Sequence, residues 1–187
     1  MVRAVFFDFG GVILSSPFEA FSSYEHAAGL PRHFVRTVNA TNHHDNAWAR
    51  LERSEISVDE FVPLFEAEAL ELGHEVDGRA VLACLTGRLR PEMVEAVRRC
   101  SERLTTALLT NNFLTGTGTP PEWAGVLARF DVVLESSRVG IRKPDPRFLR
   151  ACVRTVRSGG HRGGLPGRPR GEPQAGASAR DDHHQGR

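Results

Sequence analysis

Apolar residues along this chain fall into two patterns. Ala4, Val5, Phe6 and Phe7 form an unbroken apolar run that ends in Asp8-Phe9-Gly10-Gly11. That is the pattern of a parallel strand buried on both faces and followed by a tight loop. Thr106-Ala107-Leu108-Leu109-Thr110 repeats it, ending in Asn111-Asn112, and Asp131-Val132-Val133-Leu134 is a third short run. Between the first two runs, residues 15 to 100 read mostly as helix. Ser57 with Glu60 three residues on predicts a capped helix start. Phe61, Leu64, Phe65 and Ala69 then recur at helical spacing. Pro91 predicts the first turn of a second helix reaching about Leu104, with Met93, Val94 and Val97 on one face.

Strand, helices, strand, helix, strand predicts an α/β fold with a parallel sheet. The stretch between the first two strands is too long for one crossover and predicts a separate helical insertion. The expected organisation is a discontinuous core over 1–14 and 101–150, with a helical cap over 15–100. The composition then changes. Thr155 to Arg187 holds 8 Gly, 3 Pro and 6 Arg in 33 residues, with Val156 and Leu165 its only large apolar side chains. Such a segment cannot offset an ordering entropy of ~1–2 kcal/mol per residue, so 151–187 is expected to be disordered.

Charge narrows the partners. The 187 residues carry 24 Lys+Arg against 23 Asp+Glu, which argues against a general nucleic-acid or anionic-membrane binder. No apolar run reaches the ~18 residues of a membrane span. The N-terminus meets charge and glycine too early for a signal peptide, so a cytoplasmic chain is expected. Cys84, Cys100 and Cys152 have neither metal-ligand nor disulfide-framework spacing, which fits a reducing compartment. Lys143 is the one Lys among the 24 basic residues.

Three motifs stand at strand ends. Asp8 with Gly10 and Gly11 puts a carboxylate and anion-approachable backbone where α/β folds bind ligands. Thr110 and Asn111 offer a hydroxyl and an amide at the next strand end. Gly140-Ile141-Arg142-Lys143-Pro144-Asp145-Pro146 supplies the lone Lys. Singly these read as a turn residue, a polar loop and a turn signal. Their order and spacing together resemble the haloacid dehalogenase-like (HAD) superfamily, over residues 1 to about 148. Leu109–Phe113 and Arg138–Phe148 look closest to the HAD domains related to those of soluble epoxide hydrolase and acyl-CoA dehydrogenase family member 10.

The resemblance implies a Rossmann-like core with a helical cap, and a small phosphate ester as substrate. Asp8 would be the nucleophile and form an aspartyl phosphate. Thr110 and Asn111 would bond the phosphoryl oxygens, with Gly10 and Gly11 beside them. Lys143 would neutralise the charge. Mg²⁺ would bind Asp8 and the Gly10 carbonyl. A haloacid dehalogenase-type hydrolase, a non-catalytic phosphate-binding domain and an inactive remnant are the alternatives.

The chain departs from the family pattern twice. Family phosphatases usually carry a second Asp two residues after the nucleophile, as acid and base; here it is Gly10. The family's fourth motif, a strand ending in an acidic pair that binds Mg²⁺, has no counterpart within 20 to 30 residues after Lys143. Asp181-Asp182 comes late and follows no apolar strand. Back-translated and read one nucleotide out of frame, Leu165 to Arg187 becomes CLDDLGVNLKPARALGMTTIKV, which resembles that motif. A single-nucleotide frameshift near codons 148 to 149 is therefore expected, together with an unpaired edge beside the Asp8 strand, poor stability and lost activity.

The remaining features have bland readings. His43-His44 and His183-His184 are expected on a solvated surface. Trp48, Leu51, Phe61 and Phe65 are expected in the cap core, Ser15 and Ser16 in a loop, and residues 115–119 in a flexible loop without the Gly-Lys-Ser/Thr of a phosphate loop.

Overall fold

A computed structural model describes residues 3–113 and 120–159. Three parallel strands, β1 (Ala4–Phe7), β2 (Thr105–Thr110) and β3 (Val132–Glu135), form a sheet in that order. The register sets Phe7 beside Leu108 and Thr110 beside Glu135, so the carboxyl ends of all three strands open on one edge. Six α-helices lie between β1 and β2, and the first five are α1 (Pro17–Ala27), α2 (Phe34–Ala40), α3 (Ala47–Glu52), α4 (Val58–Glu71) and α5 (Gly78–Ala83). Then come α6 (Pro91–Ser101), α7 (Pro121–Leu127) between β2 and β3, α8 (Ser136–Val139) and α9 (Pro146–Arg157).

The alternation of side chains along β2 builds a three-layer core. Leu108 points to one face, where it joins Phe9, Ile13, Val97, Val126 and Phe130 under α6 and α7. Ala107 and Leu109 point to the other, with Val132, Leu134, Phe148 and Cys152 under α9. Truncating Leu108, which is fully buried, to Ala would cost about 2–5 kcal/mol.

The expected capping box forms: Ser57 Oγ accepts from Glu60 N at 3.2 Å, and Glu60 Oε2 accepts from Ser57 N at 2.8 Å. Phe61, Phe65 and Leu51 are buried in the cap core and Trp48 is packed against it. His43 and His44 are exposed. Ser16 caps α1, and Ser15 Oγ accepts from Arg88 N at 3.1 Å. That bond belongs to the hinge of the cap. Its two connecting strands pair antiparallel at Leu14 and Leu89, with Ser15 N to Arg88 O at 2.8 Å and Arg90 N to Ile13 O at 2.9 Å. Gly87 is needed beside this bridge, since a Cβ there would lie 2.9 Å from Leu14 Cβ.

Three expectations are corrected. The cap does not extend to residue 100. α6 lies beyond the hinge and packs on the core, because Val97, with Met93 and Val94, fills the space against Ile13 and Leu108. The ordered chain does not stop at 150 either. α9 runs to Arg157, because Phe148, Cys152 and Val156 fall on one face at helical spacing and cover the sheet. The Thr115–Thr119 segment, Asp181-Asp182 and His183-His184 lie outside the described residues. Third, β1 is not buried on both faces. Among the described residues it pairs with β2 alone, and Phe6 is 38% exposed. No described helix is long and apolar enough to cross a membrane.

Candidate active site

β1 ends at Phe7 because Asp8 turns its own side chain back on the chain. Asp8 Oδ1 accepts from Phe9 N at 2.8 Å, which caps the turn Phe9–Ile13. The turn closes on a bond from Leu14 N to Phe9 O at 2.9 Å. Gly11 sits in it at φ 76°, a conformation that favours glycine. Gly10 is different: its φ of −66° and ψ of 127° suit any residue, and a Cβ built there meets nothing within 4 Å. The missing acid at position 10 is thus not excluded by space.

Lys143 reaches this carboxylate from the loop between α8 and α9. Its Nζ lies 2.6 Å from Asp8 Oδ1 and donates to the Leu109 carbonyl at 3.1 Å. The pair is open to solvent, with side-chain exposures of 45% for Asp8 and 34% for Lys143. Oδ1 is occupied by Phe9 N and Lys143, while Oδ2 takes no hydrogen bond among the described residues. A carboxylate with one oxygen anchored and the other without a hydrogen bond among the described residues has the geometry that nucleophilic attack requires.

Thr110, buried at the end of β2, donates to the Asn111 carbonyl at 3.3 Å. The Asn111 side chain is committed elsewhere. Nδ2 donates to Glu52 Oε2 at 3.0 Å and to the Lys143 carbonyl at 3.2 Å, and Oδ1 accepts from Lys143 N at 2.9 Å. Both amide hydrogens are used. In this structure the Asn111 side chain holds the Lys143 backbone. Asn112 has a similar anchoring role, since its Nδ2 donates to Glu135 and its Oδ1 accepts from Ser137 Oγ at 2.8 Å.

Sequence reading missed the cap's contribution. Glu52, at the end of α3, accepts from Arg142 Nε at 2.5 Å as well as from Asn111, and its Oε1 accepts from Trp48 Nε1 at 3.1 Å. Arg142 Nη1 also donates to the His43 carbonyl at 2.9 Å. Glu52 and Arg142 are 12% and 20% exposed. Burial pushes the Glu52 carboxyl above its ordinary range, against the opposing pull of Arg142, Trp48 and Lys143. Removing one partner of such a largely buried pair would cost about 3–5 kcal/mol, because the other charge is left uncompensated.

A divalent cation needs hard oxygen donors. Asp8 and the Gly10 carbonyl were the expected ligands. Among the described residues no group of three or more His, Cys, Asp or Glu side chains converges, and one Asp8 oxygen is already paired with Lys143. One carboxylate is the least that Mg²⁺ accepts, and only with substrate phosphates and waters completing the octahedron. The described donors do not fit a resident ion.

Residues 2–162 match the family model of haloacid dehalogenase-like hydrolases. Mouse acyl-CoA dehydrogenase family member 10 is 32% identical over 162 residues, covering 82% of this chain and 15% of the relative. Pig bifunctional epoxide hydrolase 2 is 25% identical over 173 residues, covering 84% and 31%. The chain thus spans less than a third of these relatives. Two solved structures share the fold. A HAD-family enzyme from Bacteroides thetaiotaomicron, complexed with magnesium and inorganic phosphate, has a TM-score of 0.53 at 16% identity, covering 86% of this chain and 80% of that one. L-2-haloacid dehalogenase from Xanthobacter autotrophicus has a TM-score of 0.52 at 17% identity, covering 83% and 65%.

Proposed function

The chain belongs to the haloacid dehalogenase-like hydrolase family, and on that premise we propose that its site moves a phosphoryl group from a small phosphate ester to Asp8 and then to water. The observation that carries this reading is the Asp8–Lys143 pair, 2.6 Å apart, with no hydrogen bond to Asp8 Oδ2 among the described residues.

In the first step Oδ2 attacks phosphorus, a P–O bond forms to Asp8, and the bond to the leaving oxygen breaks. Lys143 offsets the negative charge that gathers beside Asp8, and its compact ammonium suits a crowded carboxylate–phosphate site. The leaving oxygen must take a proton. Gly10 has none to give, so it comes from water. In the second step water attacks phosphorus and releases a proton to solvent, the P–O bond to Asp8 breaks, and the carboxylate is regenerated. General acid–base catalysis is worth ~10²–10⁴-fold, so this chain should favour esters whose leaving group needs no proton, such as aryl phosphates. A cytoplasmic setting fits the three free cysteines. We read the substrate as a small molecule, with neither nucleic acid nor membrane as partner.

Phosphate release from p-nitrophenyl phosphate, compared between the wild type and Asp8→Asn, tests the reading. Release that disappears in the variant supports it; equal release in both sinks it. Binding of phosphate without any turnover would favour a non-catalytic domain.

A second reading is favoured by Gly10 and the single carboxylate. Displacement of halide from a 2-haloacid by Asp8 needs neither a protonated leaving group nor a metal. Halide release without phosphate release would favour it.

A frame change near codons 148 to 149 would leave the family's acidic pair in the alternate reading frame, where this chain does not carry it. α9 crosses that point in the sequence as it stands. Resequencing the locus decides between a real frame change and an intact frame.

A further inference from the structure

Between the cap and the reacting carboxylate runs an unbroken series of contacts. Trp48 Nε1 donates to Glu52 Oε1 at 3.1 Å, Glu52 Oε2 accepts from Asn111 Nδ2 at 3.0 Å, Asn111 Oδ1 accepts from Lys143 N at 2.9 Å, and Lys143 Nζ meets Asp8 Oδ1 at 2.6 Å. Glu52 is the one member of this series that the cap contributes and that touches core residues directly. It also neutralises Arg142, the residue immediately before Lys143.

We propose that Glu52 is a cap-borne positioning residue: it orients the Asn111 amide, which fixes the Lys143 backbone and so aims its ammonium at Asp8. The site is then complete only while α3 is seated on the core. Three features carry this beyond a surface ion pair. Glu52 uses both carboxylate oxygens, on three different donors. It is 12% exposed, so water competes poorly for those donors. The Asn111 amide, whose hydrogens are shared between Glu52 and the Lys143 carbonyl, has no rotamer freedom left while both are in place. Phe113, two residues on, packs against the cap core, so the β2 loop is held to the cap by apolar contact as well.

This inference rests on the reading of Asp8 and Lys143 as the reacting pair, and its test must not depend on turnover alone. The full 187-residue chain is compared with Glu52→Ala and Glu52→Gln by amide hydrogen exchange and by aryl phosphate kinetics. The Lys143 N–H, protected by Asn111 Oδ1, should exchange about tenfold or more faster in Glu52→Ala, as expected for loss of a charge-assisted bond in the series. Glu52→Gln, which keeps an acceptor but no charge, should recover part of that protection. In turnover, kcat should fall about tenfold with KM nearly unchanged, again partly restored by Gln. Unchanged Lys143 exchange in both variants overturns the proposal. So does faster exchange throughout the chain with none of it recovered by Gln, which marks Glu52 as merely structural. If no form turns over ester, the functional reading fails and the exchange result alone decides the role of Glu52. A fold lost in Glu52→Ala leaves Glu52→Gln to decide: normal Lys143 protection combined with a tenfold lower kcat would contradict the proposal.

Discussion

The Lys143 ammonium stands 2.6 Å from Asp8 Oδ1 and is held there by the Leu109 carbonyl at 3.1 Å. Both of these anchors are at strand ends, and Asn111 holds the Lys143 backbone as well, so the flexible stem is fixed at its two ends. Lys143→Ala should lower turnover of an aryl phosphate by about 10²-fold or more, the scale of losing one preorganised charge. Lys143→Arg should not restore it, because the broad planar fork cannot occupy the same point. Steady-state kinetics of the two variants check this; full activity in Lys143→Arg would show that only charge matters.

Gly10 gives a gain-of-function test. Its backbone suits an L residue and its Cβ direction is open. Gly10→Asp should therefore fold normally and raise turnover of alkyl phosphates, whose leaving oxygen needs a proton, by about 10²-fold. Aryl phosphates should gain much less. An equal gain for both, or none for either, would show that proton supply is not what limits this chain.

The parts of the fold and site that the sequence reveals are those coded locally. β1, β2 and β3 show as apolar runs ending in polar loops, and Asp8, Thr110 and Lys143 stand out because each closes a strand or sits in a turn string. The Ser57–Glu60 cap is a four-residue signal. Glu52 is not legible, since its partners Asn111 and Arg142 lie 59 and 90 residues away and no periodicity couples them. The ends of the cap are obscure for a related reason: the face formed by Met93, Val94 and Val97 would read the same against either domain. In α9, the Gly- and Arg-rich composition that follows masks the Phe148–Cys152–Val156 spacing. The exposure of Phe6 depends on which strands are absent beside β1 among the described residues, which local pattern does not encode.

That exposure has a measurable consequence. An apolar residue on a strand that has one edge without a partner among the described residues invites edge-to-edge association. Phe6→Lys should slow aggregation, followed by light scattering at fixed concentration and temperature, while changing thermal stability little, since Phe6 is 38% exposed. Aggregation as fast as that of the wild type would place the sticky surface elsewhere.

Cys152 predicts a pH dependence. Burial pushes its thiol up to about 11, against about 8.5 in an unfolded chain. The folded state therefore keeps a proton that the unfolded state loses between those values. Its contribution to stability is fully present below about pH 8.5 and is lost as pH rises toward about 11. The full loss is about 3 kcal/mol by the conversion of about 1.36 kcal/mol per pKa unit. Urea denaturation across this window should show the decline, and Cys152→Ala, though less stable overall, should flatten it. The same slope in both proteins would contradict this assignment.

Asp8 is proposed to supply the oxygen that bonds phosphorus. Mass spectrometry of the Asp8 peptide, after acid quench of the protein with an aryl phosphate, tests it most directly. This peptide should gain one phosphoryl group, lost on treatment with hydroxylamine and absent in Asp8→Asn. Phosphate release with no such adduct, or an adduct that persists in Asp8→Asn, would contradict it.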